Sequence, residues 1–142
     1  RTPTGDLFNE LPDRLADLLF LAAAGYATAG VWTAGEIDAG VAIGWAAAAL
    51  AVLTAYVRTL GAANGVGNFF GGPMAKPPRM WVLTAACLLS LAEAPLGLPR
   101  GVVLALALSM IAVGSLITVV VRLRRIAAAL RARAAAEPTA AR

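Results

Sequence analysis

The stretch that decides the fold is GDLFNELPDRLAD, residues 5–17, because it joins a polar segment to a long apolar one. It holds four of the eight acidic residues of the chain. On a helix, Asn9, Asp13 and Asp17 share one face. Carboxylates near hydrocarbon are costly unless they are paired, hydrated or bound to a cation, and oxygen ligands without histidine suit Mg²⁺ or Mn²⁺. This face is therefore interpreted either as part of a divalent-cation site or as a hydrated helix start, where the helix dipole favours acids.

The composition is that of a membrane protein. Of the 142 residues, 60% are hydrophobic and 14% are charged, and the mean hydropathy is +0.77. The basic residues are not interleaved with aromatic ones on a polar face, so we expect no nucleic-acid partner. Cys87, the only cysteine, lies in an apolar run and is predicted to be a buried packing thiol.

The hydropathy pattern predicts an all-α, polytopic bundle of transmembrane helices. One domain is expected over residues 1–134, followed by a disordered tail over 135–142. A bilayer-spanning helix needs about 20 apolar residues. The predicted spans cover residues 15–34, 39–57, 80–98 and 101–121. A basic helix is expected to continue the fourth span and to run along an anionic lipid surface.

Two features inside these spans have more than one interpretation. Gly40 and Gly44 have the spacing of small residues at close helix contacts, which fits a packing surface within the chain as well as a homodimer contact. Glu93 is an acid within a predicted span, which makes it a candidate site residue. It lies near the end of that span, however, and we expect it to reach water.

The basic residues predict the orientation. If the spans alternate, eleven of the twelve Lys and Arg residues lie on one side, and only Arg100 lies on the other. Positive loops mark the cytoplasmic side of membrane proteins. The acidic stretch is therefore expected to face the cytoplasm.

The spacing of Gly5, Asn9 and Asp13 resembles the second half of the signature of the CDP-alcohol phosphotransferases. That signature reads D-x-x-D-G-x-x-A-R, then eight residues, then G-x-x-x-D-x-x-x-D. Asn9 stands where the family usually has its third aspartate. The first half is not in the chain, and we expect it upstream of Arg1.

Two further stretches carry the resemblance. Tyr-Val-Arg at residues 56–58 is similar to the end of a span in many family members. GPMAKPPRM at residues 72–80 is similar to a G-P-M-A-K-x-x-R-M stretch of one bacterial branch. The resemblance implies the last four helices of a six-helix enzyme in a bacterial inner membrane, with its active site facing the cytoplasm. The chain alone is expected to be an incomplete, inactive fragment.

The implied reaction belongs to phospholipid biosynthesis. A phosphatidyl or related phosphoalcohol group passes from a CDP-linked donor to an alcohol or a phosphorylated alcohol, and CMP is released. Mg²⁺ or Mn²⁺ would be the cofactor, with Asn9 and Asp13 as ligands and Asp13 also as the catalytic residue.

The remaining predicted site residues would hold the phosphates of the substrates. Gly5 is carried over from the signature, whereas Arg58, Lys76 and Arg79 are expected to converge on a diphosphate or a phosphorylated acceptor. Each of these cations could instead be a positive-inside anchor only. The alternative function is a non-catalytic helical membrane protein that packs against another subunit.

Overall fold

The computed structural model describes residues 5–67 and 71–136, and most of these residues are helical. The side chains of residues 5–7 and 9 lie outside the described part. In chain order the elements are α1 (Gly5–Ala27), β1 (Thr33–Ala34), β2 (Ile37–Asp38), α2 (Ala39–Ala63), α3 (Lys76–Leu89), a 3₁₀ turn (Ser90–Ala92) and α4 (Val102–Ala136).

Two of the described helices, α2 and α4, are long and apolar enough to cross a membrane. They contain most of the spans predicted at 39–57 and 101–121. The other two predicted spans differ from the structure. The helix predicted over 15–34 ends at Ala27, and the one predicted over 80–98 is helical only to Leu89 before the 3₁₀ turn. Four spanning helices are therefore not established by the described residues.

The connection between α1 and α2 is a short antiparallel hairpin, in which Thr33 pairs with Asp38 and Ala34 with Ile37. Gly30, at φ 81°, adopts a left-handed conformation that glycine favours. Its N–H donates to the Asp38 carboxylate at 2.7 Å. The same carboxylate accepts from Val41 N at 3.2 Å and caps the start of α2.

Small residues bring α1 and α2 together. Gly25 faces Gly44 so closely that a Cβ built on Gly25 would lie 2.8 Å from the Gly44 Cα atom. Gly40 faces Thr28 in the same crossing. Gly40 and Gly44 thus form a packing surface within the chain. The homodimer stays a prediction.

The apolar core lies where α2 packs on α1 and α4, and α3 packs on α4. Its fully enclosed members include Leu21, Ala47, Ala51, Leu108 and Ile111. The close packing of these side chains fixes the relative positions of the helices.

The acid predicted to reach water is buried. Glu93 is 3% exposed, and its carboxylate accepts N–H groups of Gly101 at 2.6 Å and Val103 at 2.8 Å. The first N–H groups of a helix have no partner within the helix, so Glu93 satisfies donors at the start of α4. The predicted packing role of Cys87 is also wrong, because its side chain is exposed on α3.

The fourth helix continues well past its apolar part. Its 35 residues correspond to about 52 Å, compared with about 30 Å for the hydrocarbon core of a bilayer. The prediction that the basic segment continues this helix is confirmed up to Ala136. The last part of the predicted tail, residues 137–142, lies outside the described residues.

Candidate functional site: a cationic cavity

A cavity of about 270 Å³ lies where α1 and α3 begin and α2 ends. Five of the residues that line it are cations, contributed by all four helices. They are Arg14 on α1, Arg58 on α2, Lys76 and Arg79 on α3, and Arg122 on α4. We call this space the cationic cavity.

Three carboxylates of α1 hold four of these cations. The Asp17 Oδ2 atom lies 2.6 Å from Arg79 Nη2, and Asp13 Oδ2 lies 2.7 Å from Lys76 Nζ. Glu10 bonds Arg14 at 2.6 Å through one oxygen and Arg58 through the other. These acids follow one another at three- and four-residue spacing, so that they share one face of α1.

This acidic face shares Asp13 and Asp17 with the predicted one. Glu10 is also a described member, and it binds Arg58, which reaches it from the end of α2. The Asn9 side chain lies outside the described residues, so its place on this face and its role as a metal ligand stay predictions.

Arg79 is the most enclosed cation of the cavity. It is 1% exposed and lies in the first turn of α3, which Pro77 helps to start because a proline in a first turn sacrifices no helical hydrogen bond. Its Nη2 atom donates to Asp17, but its Nε and Nη1 atoms have no hydrogen-bond partner among the described residues. Leaving buried N–H groups unpaired is costly. Arg79 also lines the cavity.

Arg122 lines the same cavity, although the sequence pattern does not single it out from the basic residues around it. It is 5% exposed and donates to the carbonyl oxygens of Thr54 at 2.5 Å and Gly71 at 3.1 Å. It therefore joins α2, α4 and the loop before α3. A signal was present in the sequence, since Gly114, Thr118 and Arg122 recur every four residues and mark a buried face of α4.

The loop before α3 is held close to this face. Met74 N–H donates to the Thr118 hydroxyl at 3.0 Å, and that hydroxyl donates to the Gly114 carbonyl at 2.8 Å. Gly72, at φ 146°, lies so close to Thr118 that a Cβ on Gly72 would be 2.9 Å from the Thr118 Oγ1 atom. This contact places Lys76 and Arg79 at the cavity.

The described residues around the cavity are rich in cationic donors. Three carboxylates hold four of the five cations, and the fifth, Arg122, donates to two backbone carbonyl oxygens. Guanidinium and ammonium groups form strong hydrogen bonds to phosphate oxygens. The donors around the cavity therefore suit a phosphate group.

The ion pairs also lower the pKa of one acid that is bound to two cations of the cavity. Hydrogen bonds from Arg14, and then from Arg58, hold the pKa of Glu10 below its usual value, and the partial burial of the carboxyl opposes them only in part. Glu10 is therefore ionised at neutral pH and keeps both guanidinium groups in place.

The described residues do not by themselves fit a divalent cation. They contain no group of three or more acidic, histidine or cysteine side chains arranged to hold a metal. Moreover, Asp13 and Asp17 are already bound to Lys76 and Arg79. The binding of Mg²⁺ or Mn²⁺ therefore stays a prediction of the family resemblance.

Of the other predicted site residues, the structure brings Arg58, Lys76 and Arg79 together around one cavity, with Asp13 at its rim through Lys76. Gly5 is the first residue of α1, and its surroundings lie outside the described part of the chain. Arg14 and Arg122 join the site without having been predicted. Whether these residues bind substrate stays a prediction.

Fold and site together define a mostly helical protein with two helices suited to cross a membrane and a cationic cavity at one end. No protein-family model, curated protein or solved structure matches the chain.

Proposed function

We propose that the chain is part of a membrane-embedded phosphotransferase of the CDP-alcohol type, and that the cationic cavity holds a phosphate group of its substrate. The observation that carries the proposal is the buried Arg79, two of whose nitrogens have no partner among the described residues, at a cavity that five cations line. A cavity of about 270 Å³ has room for a phosphate ester.

The arrangement suits phosphoryl transfer. Catalysis of this reaction depends on positioning and on stabilising charge spread over the phosphoryl oxygens, for which fixed guanidinium groups are well suited. Asp13 lies beside Lys76, a cavity residue, and is half-exposed. Under this proposal its carboxylate takes a proton from an attacking hydroxyl when Lys76 turns to the phosphate.

The proposal includes the membrane placement. All four helices would be embedded in the inner membrane of a bacterium, with the cationic cavity at the cytoplasmic surface. Cysteine labelling tests it. Glu36→Cys and Ala63→Cys, each in a Cys87→Ala background, should be labelled from opposite sides, and residue 63 only from the cytoplasm. Equal labelling of both from outside would refute the orientation.

The decisive experiment measures CMP release by the full-length protein from a CDP-linked lipid, together with binding of inorganic phosphate. Arg58→Ala or Lys76→Ala should raise the KM for one substrate and weaken phosphate binding. Arg131→Ala removes an exposed arginine of α4 that does not line the cavity, and it serves as the matched control. Unchanged kinetics and phosphate affinity in both cavity variants would show that these cations are membrane anchors only.

One observation favours a non-catalytic helical membrane protein as the second candidate. Glu10, Asp13 and Asp17 are all ion-paired, which is the arrangement expected if the charges only fasten the helices together. Under this alternative the protein would release no CMP from any CDP-linked donor, with or without Mg²⁺ or Mn²⁺.

A further inference from the structure

Residues 90–101, which we call the α3–α4 connection, expose large apolar side chains. Leu91, Leu96 and Leu98 are all exposed, Leu91 by 78%. The charged residues of the connection are Glu93, which is buried, and Arg100, which is exposed. Loops that contact water are normally polar, and exposed apolar patches mark surfaces that bind protein or membrane. The composition of this connection is therefore that of a binding surface.

The backbone of the connection is largely hydrogen-bonded, although most of it is not helical. The Glu93 carboxylate accepts the N–H groups of Gly101 and Val103. Further N–H groups donate to carbonyl oxygens of the same connection, and they belong to residues 93, 96, 97, 98 and 102. Pro95 and Pro99 have no N–H group to satisfy. Backbone in contact with hydrocarbon must satisfy its polar groups internally, because no water is present there, and this connection is suited to that surrounding.

The length of α3 indicates the depth of the connection. The helix begins at Lys76, which lines the cationic cavity. Its 14 residues rise about 21 Å, and the 3₁₀ turn at Ser90–Ala92 adds about 6 Å. Together they reach about 27 Å, which is less than the roughly 30 Å of a hydrocarbon core. If the cavity lies at one membrane surface, as proposed above, the chain leaves the 3₁₀ turn while it is still within the hydrocarbon.

The length of α4 gives the same depth. Residues 102–121 carry no charge and end next to Arg122, which also lines the cavity. They rise about 30 Å, which equals the thickness of the hydrocarbon core. The start of α4, and the Glu93 carboxylate that binds it, therefore lie at the core boundary farthest from the cavity. Arg100 lies just before this start, where an arginine side chain reaches the lipid head groups.

We infer that the α3–α4 connection is a lipid-binding surface, with Leu91, Leu96 and Leu98 among the acyl chains of the leaflet farthest from the cationic cavity and Arg100 at its head groups. The inference goes beyond the proposed function and rests on one part of it, the membrane placement. A helix that is too short to span the core would complete its crossing in this way, because a hydrogen-bonded apolar loop covers the remaining distance.

The hairpin between α1 and α2 is the natural comparison, since it lies at the same end of the molecule. A Cβ built on Gly101 would be 3.0 Å from the carbonyl oxygen of Ala27, at the end of α1. Unlike the α3–α4 connection, the hairpin exposes polar side chains, those of Thr33 and Glu36. We therefore expect its tip to lie in water.

Depth-dependent fluorescence quenching tests the inference. The full-length protein, in a Cys87→Ala background with one introduced cysteine, carries a bimane fluorophore and is placed in phosphatidylcholine nanodiscs. Bromine atoms are attached to the acyl chains either near the head group or near the chain end, and they quench the fluorophore on contact. Leu96→Cys and Leu91→Cys are two separate probes, because both side chains are exposed. Both labels should be quenched more strongly by bromine near the head group.

Two matched positions calibrate the depth. Val113 is exposed in the middle of the apolar part of α4, so a label on Val113→Cys should be quenched more strongly by bromine near the chain end. Glu36→Cys, at the tip of the hairpin, should be quenched least by both lipids. In unlabelled protein a water-soluble maleimide should react with Glu36→Cys and Arg100→Cys, whereas Leu96→Cys should be protected.

Reaction of Leu96→Cys as fast as that of Arg100→Cys, without quenching by either lipid, would overturn the inference, because the connection would then project into water. Protection without quenching at both leucine positions would also overturn it, since another protein chain would then cover them. Val113→Cys distinguishes these failures from failure of the proposed membrane placement. Quenching there by bromine near the chain end leaves the placement standing, whereas no quenching at residue 113 refutes the placement as well.

Discussion

Asp17 on α1 and Arg79 on α3 form an ion pair that is closed off from solvent, with 2.6 Å between Oδ2 and Nη2 and side chains that are 2% and 1% exposed. The pair is the innermost of the contacts between α1 and the cation cluster. Arg79 uses only one of its nitrogens on Asp17. The residue thereby joins α1 to α3, and it also lines the cationic cavity.

The first prediction separates these two roles of Arg79. Removing one partner of a buried pair typically costs about 3–5 kcal/mol, because the other charge is left uncompensated, whereas replacing both by apolar groups is about neutral. Asp17→Asn should therefore destabilise the protein by about 3 kcal/mol. The double variant Asp17→Leu, Arg79→Met should regain most of this stability in denaturant titrations in detergent, yet bind no phosphate. Phosphate binding by the double variant at the wild-type level would contradict the placement of Arg79 in the site.

The second prediction concerns Asp13. In its pair with Lys76, the lysine is 37% and the aspartate 46% exposed, and exposed pairs contribute about 0–1 kcal/mol to stability. Asp13→Asn should therefore leave the melting temperature nearly unchanged while lowering kcat for CMP release by roughly 10²-fold or more, the usual size of a general-base effect. Glu36→Gln, an exposed acid of the hairpin, serves as the control and should change neither quantity. Near-full activity of Asp13→Asn would show that Asp13 is not catalytic.

The third prediction is a pH dependence of stability that originates at Glu10. Its pKa in the folded protein is lowered from the ordinary 4.5 by Arg14 and Arg58. A lowered pKa stabilises the fold fully above the unfolded-state value, and this contribution is lost as the pH falls through the folded-state value. Melting temperatures recorded from about pH 7 to about pH 3 should therefore fall less steeply for Glu10→Gln than for the wild type. Parallel curves would mean that the two arginines do not stabilise the Glu10 carboxylate.

The fourth prediction tests the crossing of α1 and α2. Gly44 lies directly against Gly25, so Gly44→Ile must push the helices apart, and overpacking typically costs about 1–3 kcal/mol. Ala46 lies two residues further on the same helix and is exposed. Ala46→Ile should therefore have little effect in the same denaturant titration. If the two substitutions proved equally harmless, the close crossing would not contribute to stability.

The sequence predicted the apolar helices better than the polar contacts. Long uncharged runs identify α2 and α4 because their signal is additive over many residues. The pattern selects Asn9, four residues before Asp13, although Glu10, three residues before Asp13, is also its neighbour on a helix. The ion pair of Glu10 with Arg58 could not be predicted, because Arg58 approaches from a separate helix.

Arg122 illustrates the same limit. In sequence it looks like the first of several arginines that follow an apolar segment, as Arg124 and Arg125 do. The spacing of Gly114, Thr118 and Arg122 indicates a buried face of α4. The partners of Arg122, which are the carbonyl groups of Thr54 and Gly71, are identified only by the fold. Polar roles of this kind are set by tertiary partners, whereas the apolar pattern is legible within one helix.

Glu93 binds backbone groups, whereas Asp13 and Asp17 bind side chains. It binds backbone N–H groups of Gly101 and Val103, which are fixed to the chain and have no rotamers by which to change partner. The acids near the cavity bind lysine and arginine side chains, which can rotate toward another anion, and the partly exposed pairs among them are weakened by salt. The connection between α3 and α4 is therefore held by contacts that cannot change partner, whereas the side-chain contacts at the cavity can rearrange around a bound anion.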